Sequence, residues 1–162
     1  VSGEFVEMID VGSNEMISVD VPVRKAVESK EVLTRSLPEA YVILPGNSEV
    51  IDKLTLLGVK SETLPKSQTA DVEIYQVVNY ERSPFKYEGV YRQDVETETK
   101  VISRNLPEGS SIVYTDQEHY GLLVEVLEPE GSNSFVSFSV VPTELGEELP
   151  IYRISSTENF KR

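Results

Sequence analysis

The sequence predicts a β-dominated α+β domain: an antiparallel, β-sandwich-like body carrying two short helices, over about 47–57 and 117–127. Three observations carry that prediction. Runs of strand length recur along the chain, many alternating apolar with polar residues as half-buried strands do. Only two stretches place apolar residues at helical spacing behind a residue able to cap a helix. Turn formers separate the runs, and many short strands with little helix between them point to antiparallel sheet rather than βαβ units.

Taken in order, residues 5–11 form a short apolar stretch, and Gly12-Ser13-Asn14 signals a turn. Ile17, Val19, Val21 and Val23 then alternate with Ser18 and Asp20, which predicts a half-buried strand, with Pro22 placing it near an edge or bulge. Residues 27–36 read as a further strand, although their charges also allow a helix. Residues 40–44 are an apolar run closed by Pro45-Gly46. Asn47 or Ser48 can cap a helix that buries Val50, Ile51, Leu54 and Leu57. Gly58 suits the left-handed position past its end, and 59–64 resumes as strand. After a polar loop over 65–70, Val72, Ile74, Tyr75, Val77 and Val78 mark another strand, which Glu81-Arg82-Ser83-Pro84 breaks. Residues 85–91 lead into a strand over 95–104, and 111–115 is the next. Asp116 can cap the second helix, which Gly121 weakens by roughly 1 kcal/mol relative to Ala and Pro129 stops. Residues 134–141 alternate again, 149–154 is the last strand, and a frayed tail follows Ser155.

A candidate internal repeat links the two halves. Residues 32–39, Val-Leu-Thr-Arg-Ser-Leu-Pro-Glu, match 101–108, Val-Ile-Ser-Arg-Asn-Leu-Pro-Glu, at an offset of 69. The same offset carries Asn47 onto Asp116 and Leu54 onto Leu123. Either a strand–helix unit is duplicated as a pseudo-symmetric pair, or a limited vocabulary has produced a short match by chance.

The 162 residues suit a single domain, organised as leading strands over 1–23, a compact body over 24–155 and a tail over 156–162. A net charge of −13 argues against nucleic acid and anionic membrane surfaces as partners, and no apolar span is long enough for membrane insertion. With no cysteine there is no disulfide framework and no thiolate metal site. The opening Val1-Ser2-Gly3 reads as the start of a piece of a longer chain.

The residues contain no catalytic constellation and no metal site. His119, the single histidine, is followed by Tyr120, Gly121 and Leu122, so it lacks the partners that a zinc pair needs at helical spacing. It also has no nucleophile elbow to serve as a base. Glu96 and Glu98 alternate with strand residues and read as a solvated face rather than an acid/base pair. Tyrosine is the enriched type, with eight in the chain. Tyr87 and Tyr91 share parity with Phe85, so one strand face presenting three rings is a candidate binding surface for a sugar or protein. The alternative is that these rings pack beneath strands with hydrated hydroxyls.

One resemblance goes further. The stretch 111–131, Ser-Ile-Val-Tyr-Thr-Asp-Gln-Glu-His-Tyr-Gly-Leu-Leu-Val-Glu-Val-Leu-Glu-Pro-Glu-Gly, continues through 133–138 to Leu149-Pro-Ile-Tyr-Arg-Ile154. With Pro38-Glu-Ala-Tyr-Val-Ile43, Gly58-Val59 and Val72-Glu-Ile-Tyr75, it resembles the β-rich tail of bacterial zinc metallocarboxypeptidases of the carboxypeptidase A-like superfamily. The resemblance covers 37–154. The family's zinc ligands, a His-x-x-Glu pair and a later His, have no counterpart here, and neither does its catalytic glutamate. It therefore implies a non-catalytic C-terminal accessory domain whose partner is an upstream catalytic domain of the same chain. It also implies zinc only in that upstream domain, removal of C-terminal residues from peptides by the parent, and an extracellular or cell-surface location. Two further readings compete: a surface module binding a peptide, glycan or cell-wall ligand through Tyr87 and Tyr91, and an independent enzyme.

Overall fold

The computed structural model describes residues 2–23 and 31–157, and the chain divides into two compact units, 1–36 and 37–162. This boundary lies thirteen residues beyond the division expected between residues 23 and 24.

In the first unit, β1 (Ser2–Ile9) and β2 (Met16–Val23) form an antiparallel hairpin in continuous register from Ser2↔Val23 to Ile9↔Met16. The expected turn is built on Asp10. Its carboxylate accepts from the Ser13 hydroxyl at 2.7 Å and the Ser13 N–H at 3.0 Å, while Asn14 adopts a φ of 58°. Those bonds, the Ser13 hydroxyl first, hold the Asp10 carboxyl below its usual range. Val19 and Val21 are half-buried, whereas Ile17 is exposed. The strand expected over 27–36 is corrected: 31–36 carries no strand and is mostly exposed, and 27–30 lies outside the described residues. Without a partner ladder, the isolated apolar residues Val32 and Leu33 do not make a strand.

The second unit is one six-stranded antiparallel sheet in the order β4-β7-β3-β8-β5-β6. Its strands are β3 (Ala40–Ile43), β4 (Glu62–Thr63), β5 (Gln68–Tyr87), β6 (Val90–Leu106), β7 (Ser111–Tyr114) and β8 (Ile151–Ile154), with helices α1 (Ser48–Leu56) and α2 (Tyr120–Leu127). This is the β-dominated, sandwich-like α+β class expected. Every residue of β3 and β8 is buried, which explains why both read as near-continuous apolar runs. Tyr41, Ile43, Tyr75 and Ile151 face one cluster with Val50 and Leu54 of α1 and Leu123 and Leu127 of α2. The alternate residues Ala40, Val42, Val72, Tyr152 and Ile154 face a second cluster, drawn from the sheet and its flanking Leu44 and Leu64. Each fully buried leucine on the helix side contributes roughly 1.5–3 kcal/mol relative to exposure.

The first helix ends as expected and begins differently. Gly58 takes a φ of 80°, Val59 N–H donates to Leu54 O at 3.0 Å and Gly58 N–H to Thr55 O at 3.0 Å, a Schellman ending. Asn47 occupies the N-cap, but its side-chain amide donates back to Leu44 O at 3.0 Å instead of capping. The second helix starts three residues later than read, with His119 rather than Asp116 at its N-cap. Gln117 causes the delay: its Nε2 donates to Tyr114 O at 2.6 Å, and 115–119 is spent on turns. The candidate repeat is not matched in structure at its defining stretches, since 101–106 is strand and 32–38 is not; what the halves share is that β3 and β7 are antiparallel neighbours and each is followed by a helix. Its gap-free offset is corrected. The strands begin at Ala40 and Ser111 and the helices at Ser48 and Tyr120, so the elements correspond at 71 and 72 rather than 69.

Three other expectations change. Within 59–64 only Glu62–Thr63 is strand. The break at 81–84 is instead an irregularity inside β5, where the register shifts between Arg82 and Lys86. Pro84 lies in that shift, where its missing N–H costs no ladder bond. The strand then runs to a two-residue turn, Glu88 (φ 51°) and Gly89 (φ 87°), whose paired positive angles suit a type I′ hairpin. The strand expected over 134–141 is a series of turns: Phe138 N–H donates to Ser134 O at 3.0 Å and Ser137 N–H to Ser134 Oγ at 2.9 Å. Serine side chains there capture backbone donors that a strand would need. This segment covers the outer edge of β6, with Gln93 N–H donating to Ser137 O at 2.9 Å. Of the expected tail, 158–162 lies outside the described residues, and Thr157 is tied to the Glu39 carboxylate by two bonds of 2.8 Å.

Candidate functional site

The two singled-out tyrosines lie at the tip of the β5–β6 ribbon, on opposite faces. Residues paired across an antiparallel ladder share a face. Tyr91 pairs with Lys86 and Tyr87 with Val90, and the Glu88-Gly89 turn separates the two rings. Residues 85–91 are not one strand, so the expected shared platform is corrected. Tyr91 is 38% exposed, with the Arg82 and Lys86 cations 5.0 and 5.5 Å from its ring centroid. Tyr87 meets Phe138 edge-on at 6.2 Å, with the Arg92 guanidinium 5.7 Å from the Tyr87 centroid. Arg92 is itself fixed, donating to Ser132 O and Ser137 Oγ at 2.6 Å each.

A denser polar constellation, not foreseen from the residues, lies on the helix-side face of the sheet. Register puts Tyr41 of β3, Arg153 of β8 and Glu73 of β5 in one row across three adjacent strands. Glu128, just past the end of α2, closes the row from above: its Oε1 accepts from Tyr41 Oη at 2.7 Å and lies 3.3 Å from Arg153 Nε. Arg153 Nη1 also donates to the Glu73 carboxylate. The Arg153 side chain is 3% exposed and the Glu73 and Glu128 side chains 21% and 16%, so neither ion pair is a surface pair. A smaller set on the opposite face joins Arg104, Glu148 and Tyr152, with Tyr152 Oη donating to Glu148 at 2.5 Å. Desolvation leads in raising the tyrosine hydroxyls. It pushes Tyr41 and Tyr75 well above the ordinary range, aided by the Glu128 charge, and Tyr152 up to about 12, aided by Glu148.

A pH dependence follows. A folded-state pKa above the unfolded value of 10.0 leaves stability intact below pH 10 and removes it as pH rises further, because the unfolded chain then releases protons that the native chain keeps. The urea midpoint is expected to hold flat up to pH 10 in this respect and fall above it. Tyrosinate absorbance should show Tyr41 and Tyr75 ionising only with unfolding. A single reversible step near pH 10 for all eight tyrosines would contradict it.

A concavity of about 340 Å³ opens between the end of α1 and the start of α2 and includes Lys60, Glu62, Asp116, Gln117 and His119 in its lining. Gln117 stitches it, accepting from Lys60 N–H at 2.9 Å. Ser61 and His119 both line it without hydrogen-bonding to one another, so no nucleophile–base pair forms. Among the described residues no group of three or more His, Cys, Asp or Glu is placed to hold a metal ion. His119, the single histidine, has no such ligand set around it among the described residues.

Comparison with known proteins supplies what the geometry does not. The chain is 41% identical over 128 residues to carboxypeptidase 2 of Trichophyton tonsurans, covering 78% of this chain and 23% of that protein. It is 34% identical over 147 residues to carboxypeptidase 2 of Trichophyton rubrum, covering 91% and 27%. The similarity is to part of a carboxypeptidase. The chain spans about a quarter of the length of the curated relatives it matches. No family model matches, and no solved structure does. These relatives are fungal, so the bacterial attribution finds no support. Among the described residues no helix is long and apolar enough to cross a membrane.

The stretches that carried the carboxypeptidase resemblance converge in space. Tyr41 comes from 38–43, Glu73 from 72–75, Glu128 from 127–129 and Arg153 from 150–153, and together they form the buried polar row. Gln117 of the same resemblance anchors the turn before α2. A sequence signal for the row existed: Arg153 is a charge inside an otherwise apolar strand, and such a charge needs a partner.

Proposed function

We propose that the chain is a non-catalytic accessory domain of a carboxypeptidase, C-terminal to the peptidase domain in the same polypeptide. The observation that carries this is the match itself: up to 91% of the chain aligns with proteins named carboxypeptidase 2 while occupying only 23–27% of them. The motifs behind that match build a scaffold, which suits a supporting role. In this reading zinc and the hydrolytic residues belong to the upstream domain, the parent removes C-terminal residues from peptides, and it acts outside the cell or at its surface. The alternative, a surface module binding a glycan or protein through Tyr87 and Tyr91, keeps two exposed rings but loses the single platform, because the Glu88-Gly89 turn puts them on opposite faces.

The test compares the full parent, the parent lacking 37–157, and residues 1–162 alone on peptides with free C-termini in the presence of zinc. Residues 1–162 should release nothing, the parent should turn over, and the deletion should lower the parent's thermal midpoint. Turnover by residues 1–162, or a parent reading frame lacking both His-x-x-Glu and a later His, would overturn the proposal.

A further inference from the structure

The β1–β2 hairpin has one face built for burial. Cross-strand pairing puts Val6 with Val19, Met8 with Ile17, and Glu4 with Val21 on one side. From Glu4↔Val21 to Met8↔Ile17 that face is apolar apart from Glu4. The other side alternates character, pairing Phe5 with Asp20, Glu7 with Ser18, and Ile9 with Met16. Val19 and Val21 of that face are half-buried, yet Val6 is 42%, Met8 50% and Ile17 42% exposed; Phe5, Ile9 and Met16 on the mixed face are more exposed still, but lie among Asp20, Glu7 and Ser18. A two-stranded hairpin in water is marginal at best, and a contiguous exposed apolar face on one marks a contact surface.

We propose that the Val6, Met8, Ile17, Val19 and Val21 face seats on the part of the parent polypeptide that lies outside residues 1–162. This rests on the reading of the chain as one part of a longer carboxypeptidase. Two considerations select that occupant. The relatives are about four times as long as the stretch they share with this chain, so most of the parent is elsewhere. A second copy of the chain is a poorer fit, because five aliphatic side chains fall well short of the roughly 800 Å² per partner that a stable dimer buries. Docking within one polypeptide gains from high effective concentration and needs far less area.

Adjacent positions on β2 give an internal control, because Ile17 lies on the aliphatic face and Met16 on the mixed one. The chain has no cysteine of its own, so Ile17→Cys and Met16→Cys can be followed separately by maleimide labelling and peptide mass spectrometry. In the full parent, Ile17→Cys should label about tenfold more slowly than Met16→Cys, and in residues 1–162 the two should label at similar rates. Hydrogen exchange of the β1 and β2 amides in the unsubstituted parent guards against a variant that misfolds: protection seen in the parent should be lost in residues 1–162. Equal labelling in the parent overturns the inference. So does slow labelling of Ile17→Cys in residues 1–162, which would place the cover within the chain if independent of concentration and in a second copy if concentration-dependent. Labelling is independent of turnover, so a parent without peptidase activity would sink the functional reading and leave this one standing.

Discussion

Arg153→Met is expected to destabilise the chain by about 3–5 kcal/mol, the cost of removing one partner from a buried charge network. Methionine roughly fills the volume of the arginine stem, so the loss is electrostatic rather than a cavity. What remains is two carboxylates, Glu73 and Glu128, facing one another across a site from which their guanidinium has gone. Tyr41 still donates to Glu128 at 2.7 Å, but one hydroxyl does not replace a cation. Urea denaturation followed by far-ultraviolet circular dichroism measures the change. A loss below about 1 kcal/mol would mean the network is solvated in solution. Adding Glu73→Gln and Glu128→Gln to the same variant should restore part of the loss, since the damage lies in the uncompensated charges.

Gln93→Ala is expected to cost about 3 kcal/mol, because it removes three hydrogen bonds to backbone groups at once and, among the described residues, leaves only the Val136 carbonyl of the three another partner, the Ser139 N–H at 2.9 Å. Gln93 is 4% exposed and lies on β6, at the edge covered by the turn-rich segment 132–143. Its Nε2 donates to Val136 O at 2.8 Å and Val141 O at 3.1 Å, and its Oε1 accepts from Thr143 N–H at 3.3 Å. Truncation leaves two carbonyls and an N–H without those partners. Gln93→Glu should be no better, since it keeps an acceptor, loses both donors and introduces a buried charge. Hydrogen exchange should localise the effect to 136–143. An unchanged exchange pattern in Gln93→Ala would show that the backbone bonds alone hold the segment.

The parts of the fold legible in the sequence are those set by local chemistry. The apolar runs at 40–43, 111–114 and 151–154 became the three adjacent strands β7, β3 and β8, and Gly58 closed α1 as its position required. The misreadings share a different cause. Ser134 and Ser137 gave 134–141 the alternation of a strand while spending their hydroxyls on turns. Pro84 reads locally as a stop, yet a bulge let β5 pass through it, and Glu88, a residue with no preference for positive φ, concealed the hairpin turn. That hidden turn is also why Tyr87 and Tyr91 looked like one surface. The buried row escaped notice because its members are scattered from residue 41 to residue 153 and meet only through sheet register.

The position of β8 has a consequence for how the chain is made. The last strand in sequence is inserted between β3 and β5, and β3 bonds to residues 111–114 on one side and 151–154 on the other. As the polypeptide leaves the ribosome, β3 emerges first of the six strands and must wait for more than a hundred residues before its second edge is satisfied. The β5–β6 ribbon, closed by a two-residue turn, can form meanwhile from neighbouring sequence. Folding of this unit is thus gated by its C-terminal end, and a nascent chain stopped before Ile151 would present an open, apolar strand edge to chaperones and to other nascent chains.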